Sequence, residues 1–289
     1  MESGFDLSKQ KIAIIGLGLM GGSLALALRG TCQKILAVDQ NPETIRFATQ
    51  HQIVDLISDS PQEILPQADV IILATPVLTI LKLIESLPDW KPEGAVVIDL
   101  GSTKQQVCQA LAQMPNQFSA VGGHPMCGKT EFTLKNAEAD LFHGSPFVLV
   151  NLPNSKPFSI QLAEAIAVNI GAKPLWLDAE THDHITAITS HFPFLLANLM
   201  AGITPQEAAP LTATGWLSTT RLASSSLQMM ADILKTNRLQ VLSVLEQFSK
   251  QLDLVRNLLE NENFDSLNKV LTTGKEQHQD IITKEHLSS

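Results

Sequence analysis

The sequence predicts an α/β architecture, an N-terminal doubly wound parallel sheet followed by an all-helical C-terminal domain. Three observations predict it. Short runs that are apolar at every position alternate with helical stretches through the first 178 residues, a glycine-rich turn joins the first run to the first helix, and strand-like runs stop after Asp178. Runs without polar alternation suit parallel strands buried on both faces. They are Ile12–Ile15, Ile35–Val38, Val70–Leu73, Ala95–Ile98, Phe147–Val150 and Pro174–Leu177, with the largely apolar Phe118–Val121 as a further run. Between them, Pro42–His51, Leu78–Leu87 and Ser102–Gln113 are long enough for crossover helices, and repeated β-α-β units wind a parallel sheet. The expected division is residues 1–178 and residues 179–289, with a helix entered at Thr181 or Asp183.

Composition bounds the function. The 289 residues are 44% hydrophobic and 17% charged, an ordinary globular mixture of two-domain length. A net charge of −9 leaves no basic excess to neutralise phosphates, so nucleic acid is not the expected partner. No apolar run reaches the roughly 20 residues of a membrane span, and the polar first ten residues lack the pattern of a secretory leader. Cys32, Cys108 and Cys127 are widely spaced and suggest neither a disulfide framework nor a zinc site, which fits a reducing cytoplasm.

The sharpest motif is Gly16-Leu17-Gly18-Leu19-Met20-Gly21, placed directly after the first strand and before a helix-forming stretch. Gly16 permits the tight turn, Gly18 lets the backbone approach a pyrophosphate, and Gly21 lets helix and strand pack closely. The helix N-terminus then offers unpaired N–H groups to the anion. This is a Rossmann-type dinucleotide cradle. Asp39 ends the second strand about 20 residues on, where a carboxylate accepts hydrogen bonds from ribose hydroxyls. It also repels a 2′-phosphate, and Gln40 and Asn41 supply no counter-charge, so NAD is the expected cofactor. Thr75-Pro76 is either a simple strand stop or another part of the ligand edge.

Two further segments lie at strand ends, Asp99–Lys104 and Gly122–Met126, and both should open onto the cofactor edge. His124 there is a candidate general base, with Ser102 as its hydrogen-bond partner, as a helix N-cap, or as both. In the helical half, His182 and His184 do not share a helix face, whereas His184 and His191 do at two turns' distance. No pair has the four-residue zinc spacing, so no metal is expected. Arg221 follows Thr219-Thr220 in an uncharged stretch, as a bidentate carboxylate clamp or a solvated surface residue. Leu245, Phe248, Leu252, Val255 and Leu259 draw one apolar seam along a helix, for packing within the chain or between two copies. A homodimer is expected.

Together these segments resemble the prephenate/arogenate (cyclohexadienyl) dehydrogenase family. The glycine loop, Gly101-Ser102-Thr103-Lys104, Gly122-Gly123-His124-Pro125-Met126, Ser190-His191-Phe192-Pro193 and Thr219-Thr220-Arg221 occur in the family's order over nearly the whole chain. The resemblance implies an NAD(P)-dependent oxidative decarboxylation in tyrosine biosynthesis and a helical C-terminal dimerisation domain. It implies that His124 hydrogen-bonds the ring hydroxyl, that Ser102 orients His124, that Arg221 holds a substrate carboxylate, and that His191 is a second substrate-site histidine. A dianionic substrate entering an acidic chain needs local cations, for which Arg221, Lys104 and protonated His191 are the candidates. The chain departs from the family pattern at Gly215–Ser218, at Met230 and at Thr133. The expected reaction is NAD-dependent oxidation of prephenate, with arogenate as the alternative substrate. The residues also leave room for a β-hydroxyacid dehydrogenase, though Lys235 and Lys250 lack that group's asparagine partner, for an imine-reducing enzyme, and for an NAD-sensing scaffold without catalysis. No appended regulatory module is expected after Ser289, and feedback by tyrosine, if present, is expected to act at the active site.

Overall fold

A computed structural model describes residues 5–129 and 131–288, with side chains through Lys284. Residues 1–4 of the polar N-terminal stretch lie outside the described residues. The chain forms an eight-stranded sheet. Its strands are β1 (Lys11–Ile15), β2 (Lys34–Val38), β3 (Leu56–Ser58), β4 (Val70–Leu73), β5 (Val96–Asp99), β6 (Ser119–Pro125), β7 (Pro146–Asn151) and β8 (Lys173–Trp176). The spatial order is β3-β2-β1-β4-β5-β6-β7-β8. Neighbours are parallel except β6 and β7, which run antiparallel. The expected parallel sheet is therefore mixed at this one pairing. Among the described residues the excursion from β6 to β7 holds the 3-10 turn Leu134–Asn136 and no crossover helix, and the chain returns beside β6 in the opposite sense.

The strands are apolar throughout because helices cover both faces. On β1, Ile12 and Ile14 enter one core with Leu24 of α1 (Leu19–Ala27), while Ala13 and Ile15 enter the other with Leu36 and Ile71. Local chemistry starts the next helices. Asn41 caps α2 (Pro42–Gln50), its Oδ1 accepting from Glu43 N–H at 2.9 Å, and Pro42 occupies the first turn, where its missing N–H costs nothing. The short α3 (Pro61–Ile64) precedes β4, and α4 (Val77–Trp90) and α5 (Gln105–Ala112) cross from β4 to β5 and from β5 to β6. The sequence placed the last of these from Ser102. The structure delays it to Gln105, because a carboxylate from another helix caps it there. The three-residue β3 was not legible, being an edge strand with Leu56 exposed.

The largest local correction concerns His124, expected in a loop after Val121. It lies inside β6, paired with Val148 of β7. Two glycines disguise the strand, since glycine is depleted in strands. Both are required by close neighbours. A Cβ at Gly122 would lie 2.6 Å from Cys108 Sγ, and one at Gly123 would lie 2.5 Å from the Asp99 carbonyl oxygen.

After α6 (Pro157–Asn169) and β8, the chain is helical. Asp178 caps α7 (Ala179–Thr186) by accepting from Thr181 N–H at 2.8 Å. A π-helical segment (Ala187–His191) leads into α8 (Phe192–Ile203), and then come α9 (Thr214–Thr220), the 3-10 turn Arg221–Ser224, α10 (Leu227–Thr236), α11 (Arg238–Glu260) and α12 (Phe264–Ser288). The chain through Gln240 forms one compact unit, with α7 packed on α5 and α10 on α4. Contrary to the reading of apolar runs alone, Ala179–Ile203 is long and apolar enough to span a membrane. Its buried polar face of His182, Asp183, Thr186 and His191 instead marks it as an element of this unit. From Val241 a second unit follows, in which α11 and α12 are joined by a tight turn through Glu262 at φ +53°. On α11 the buried positions are Val241, Val244 and Leu258, whereas Leu252 and Leu259 of the expected seam are 55% and 50% exposed.

The clash at Gly123 sets an expectation. Gly123→Ala should destabilise the fold by about 1–3 kcal/mol through overpacking, read as a lower urea midpoint at unchanged slope.

Candidate active site

The carboxyl ends of β1, β2, β4 and β5 open onto a cleft of about 400 Å³, lined among others by Gly16, Gly18, Asp39, Thr75 and Ser102. Leu19 and Met20 of the first turn of α1 line it too. The strand order reverses between β1 and β4, which is where ligands bind in such sheets. The glycines are dictated by space. Gly16 has φ +96° and Gly21 could carry no side chain, since its Cβ would fall 1.9 Å from the Gly16 carbonyl oxygen.

Asp39 organises this loop. Its Oδ2 accepts from Leu17 N–H at 2.7 Å and its Oδ1 from Asn41 N–H at 2.8 Å. Each oxygen keeps a lone pair for a hydroxyl donor. Thr75 Oγ1 is buried beside the glycine turn, with no hydrogen-bond partner among the described residues. A buried hydroxyl without a partner costs free energy, and a polar ligand in the cleft would satisfy it. Leu19 N–H in the first turn of α1 donates to the Phe132 carbonyl at 2.9 Å. The glycine cradle, the ribose-side carboxylate and the partnerless Thr75 hydroxyl fit a dinucleotide.

Next to the cleft, Lys104 corrects an expectation. It was a candidate cation for substrate, yet it is fully buried, its ammonium paired with Asp99 and donating to the Gly123 carbonyl at 2.6 Å. Asp99 also accepts from Gly101 N–H at 2.8 Å and from Gly123 N–H at 3.1 Å. The pair is a brace between the Ser102 loop and the His124 strand, with its charge cancelled internally.

His124 is partly buried, and its Nδ1 lies 2.8 Å from His182 Nε2. Burial, then the nearby His182, Lys104 and His191, push its imidazole well below the usual range, so it is the free base at neutral pH. His182 in turn meets Asp183 Oδ1 through Nδ1 at 2.8 Å. Asp183, on α7, is the cap of α5, since its two oxygens accept from Lys104 N–H at 2.7 Å and Gln105 N–H at 2.8 Å. Sequence reading weighed His182 only as a metal ligand and passed over Asp183. The available signal was the spacing of His182, Asp183 and Thr186, which puts three polar side chains on one face of α7, the buried one.

His191 is buried, with Asn237 Nδ2 3.1 Å from its Nδ1. Burial and His182 push its pKa down to about 4 against the opposing effect of Asp183, so it is not the cation expected of it at neutral pH. Nor does it share a face with His184, which is exposed and near Gln240. The π segment changes the phase. Residues seven apart on an ideal α-helix are only about 20° out of phase, and the wider π turn rotates His191 off the His184 face to the buried side that carries Asp183.

Arg221 is exposed on the 3-10 turn after α9, and it is not among the residues lining the cleft. Among the described residues it has no ion pair, which leaves its guanidinium available. Met230, in place of an aromatic, is core, packed with Phe194 and Ile233. Thr133 lines a groove with Asp39 and bonds Asn136.

A doubly wound sheet with this cradle and a histidine at its carboxyl edge defines a dinucleotide-dependent dehydrogenase. The model of the prephenate dehydrogenase nucleotide-binding domain matches residues 24–175, and that of the prephenate dehydrogenase dimerization domain matches 178–273. The chain belongs to the prephenate dehydrogenase family. It is 30% identical to the prephenate dehydrogenase of Bacillus subtilis (strain 168) over 278 residues, 93% of this chain and 75% of that protein. It superposes on the crystal structure of prephenate dehydrogenase from A. aeolicus in complex with hydroxyphenyl propionate and NAD+ with a TM-score of 0.87, at 27% identity, covering 96% of this chain and 100% of that one. Against Synechocystis arogenate dehydrogenase the TM-score is 0.81 at 26% identity, covering 93% and 99%.

The Lys104 brace is testable. Lys104→Met leaves Asp99 buried without its counter-charge and should cost about 3–5 kcal/mol of stability, measured by chemical denaturation.

Proposed function

We propose that this chain catalyses the NAD-dependent oxidative decarboxylation of prephenate to 4-hydroxyphenylpyruvate, a step toward tyrosine. The single observation that supports this is that the glycine turn after β1, Thr75 after β4 and Ser102 after β5 line one cleft, while His124 sits near the carboxyl end of β6, the strand next to β5 in the same sheet. NAD, when bound, supplies the acceptor for the hydride that leaves the hydroxyl-bearing ring carbon. His124, a free base, accepts the hydroxyl proton as carbonyl character develops. Carbon dioxide leaves, the ring becomes aromatic, and the step is effectively irreversible. Ser102 lines the cleft and orients the substrate hydroxyl, while the partner of the His124 ring, expected to be Ser102, is His182 instead. Arg221 holds a substrate carboxylate, and His191 is a second substrate contact that donates a hydrogen bond rather than a charge.

Residues 1–178 serve as the dinucleotide-binding domain and residues 179–289 as the substrate and dimerisation domain. The exposed Leu252 and Leu259 support a homodimer, and the three free cysteines suit the reducing cytoplasm. The decisive experiment follows NADH absorbance with prephenate and with arogenate, each offered NAD and NADP. Turnover of prephenate with NAD is expected. Turnover of arogenate alone would reassign the substrate, and no turnover of either would end the proposal. Asp39→Ser should lower the NAD over NADP preference roughly tenfold or more, since a carboxylate no longer faces the 2′-phosphate, as read from kcat/KM with each cofactor.

A further inference from the structure

Two histidines of the site are held by one residue on opposite sides of a hydrogen-bond network. The network begins at the N-terminus of α5. Lys104 N–H and Gln105 N–H donate to the two carboxylate oxygens of the fully buried Asp183, at 2.7 and 2.8 Å. Backbone amides only donate, so both oxygens of Asp183 are acceptors. The hydrogen between Asp183 Oδ1 and His182 Nδ1 therefore belongs to the imidazole. With one ring proton placed at Nδ1, His182 presents a lone pair at Nε2. His124 Nδ1, 2.8 Å away, must donate to it. The lone pair of His124 is then at Nε2. The reverse polarity would require a second proton on His182.

The other arm starts from the same residue's backbone. Asn237 Nδ2 donates to the Asp183 carbonyl oxygen at 2.7 Å. A carbonyl only accepts, so the amide nitrogen must face it. The Asn237 Oδ1 on the far side has no partner among the described residues, so the orientation follows from the Asp183 carbonyl alone. The second hydrogen on Nδ2 points at His191 Nδ1, 3.1 Å away. His191 Nδ1 is therefore an acceptor, and its ring proton sits on Nε2.

We propose that Asp183 is a positioning residue that sets the two site histidines in opposite tautomers, His124 with an Nε2 lone pair through His182 and His191 with an Nε2–H donor through Asn237. One histidine is thereby ready to take a proton from a hydroxyl while the other is ready to donate to an oxygen acceptor, and neither role needs a proton to arrive from solvent. This rests on the functional reading above for its catalytic meaning but not for its hydrogen positions.

The test therefore begins without substrate. The full chain is labelled with 15N-histidine and the ring nitrogens are assigned by comparison with His124→Asn and His191→Asn. The expected spectrum has the protonated nitrogen at Nδ1 of His124 and at Nε2 of His191. The same tautomer at both, a proton on His124 Nε2, or a doubly protonated His182 would overturn the proposal. Asp183→Asn turns one acceptor into a donor and should reverse the His182 and His124 tautomers, lowering kcat by about a hundredfold or more with little change in KM. A reversed spectrum with kcat intact would also overturn it. Should that variant not fold, two others decide. His182→Gln offers an amide oxygen to His124 Nδ1–H and should keep the His124 tautomer and most of kcat. His182→Leu should lose both, and equal kcat in the two would sink the idea. Opposite tautomers in a protein that turns over no cyclohexadienol would count against the reaction assigned above, not against this network.

Discussion

The site depends on one buried ion pair, between Lys104 and Asp99. Asp99 ends β5, and its carboxylate gathers the amides of Gly101 and Gly123 while the Lys104 ammonium reaches the Gly123 carbonyl. Three backbone segments, the end of β5, the loop carrying Ser102 and the strand carrying His124, are thus tied at a single point. A buried pair of this kind is weak evidence for net stability, because removing both charges from water costs as much as their attraction returns. Its value is geometric. It fixes the spacing between two neighbouring strands where hydrogen bonding between them has stopped at Ile98 and Val121.

The helical half adds the second constraint. Asp183 caps α5 from outside the helix, so the N-terminus that follows Ser102 and the helix that bears His182 and His191 cannot move independently without exposing two amide donors. The π segment before α8 belongs to the same arrangement, because it lets a helix that has already presented His182 inward present His191 inward as well. Segments of this type often sit at functional sites, and the reason here is one of rotational phase.

Much of this was legible in the residues. The sheet was readable because buried parallel strands are apolar without alternation, and Ile12–Ile15 and Val70–Leu73 stand within a residue of their observed limits. The cradle was readable because Gly16, Gly18 and Gly21 answer to close approaches that nothing larger fits. The reading failed where a residue's surroundings come from far along the chain. Gly122 and Gly123 looked like a loop because the Cys108 and Asp99 atoms that demand glycine there are distant in sequence. Lys104 looked like a free cation because Asp99 was read as the start of a loop, and because its other partner, the Gly123 carbonyl, lies on a strand whose place beside it the sequence does not show. His184 and His191 looked aligned because helical phase was assumed uniform. Asp183 was passed over because its role exists only when α5 lies against α7.

The Phe132 carbonyl that accepts from Leu19 N–H gives the cradle a particular character. The first turn of α1 is not a bare electropositive end awaiting an anion, since one of its amides is already committed to the segment after β6. A ligand that used the Leu19 N–H as its donor would compete with the Phe132 carbonyl for that amide, so the first turn of α1 is tuned by a neighbour that lies more than a hundred residues further along the chain.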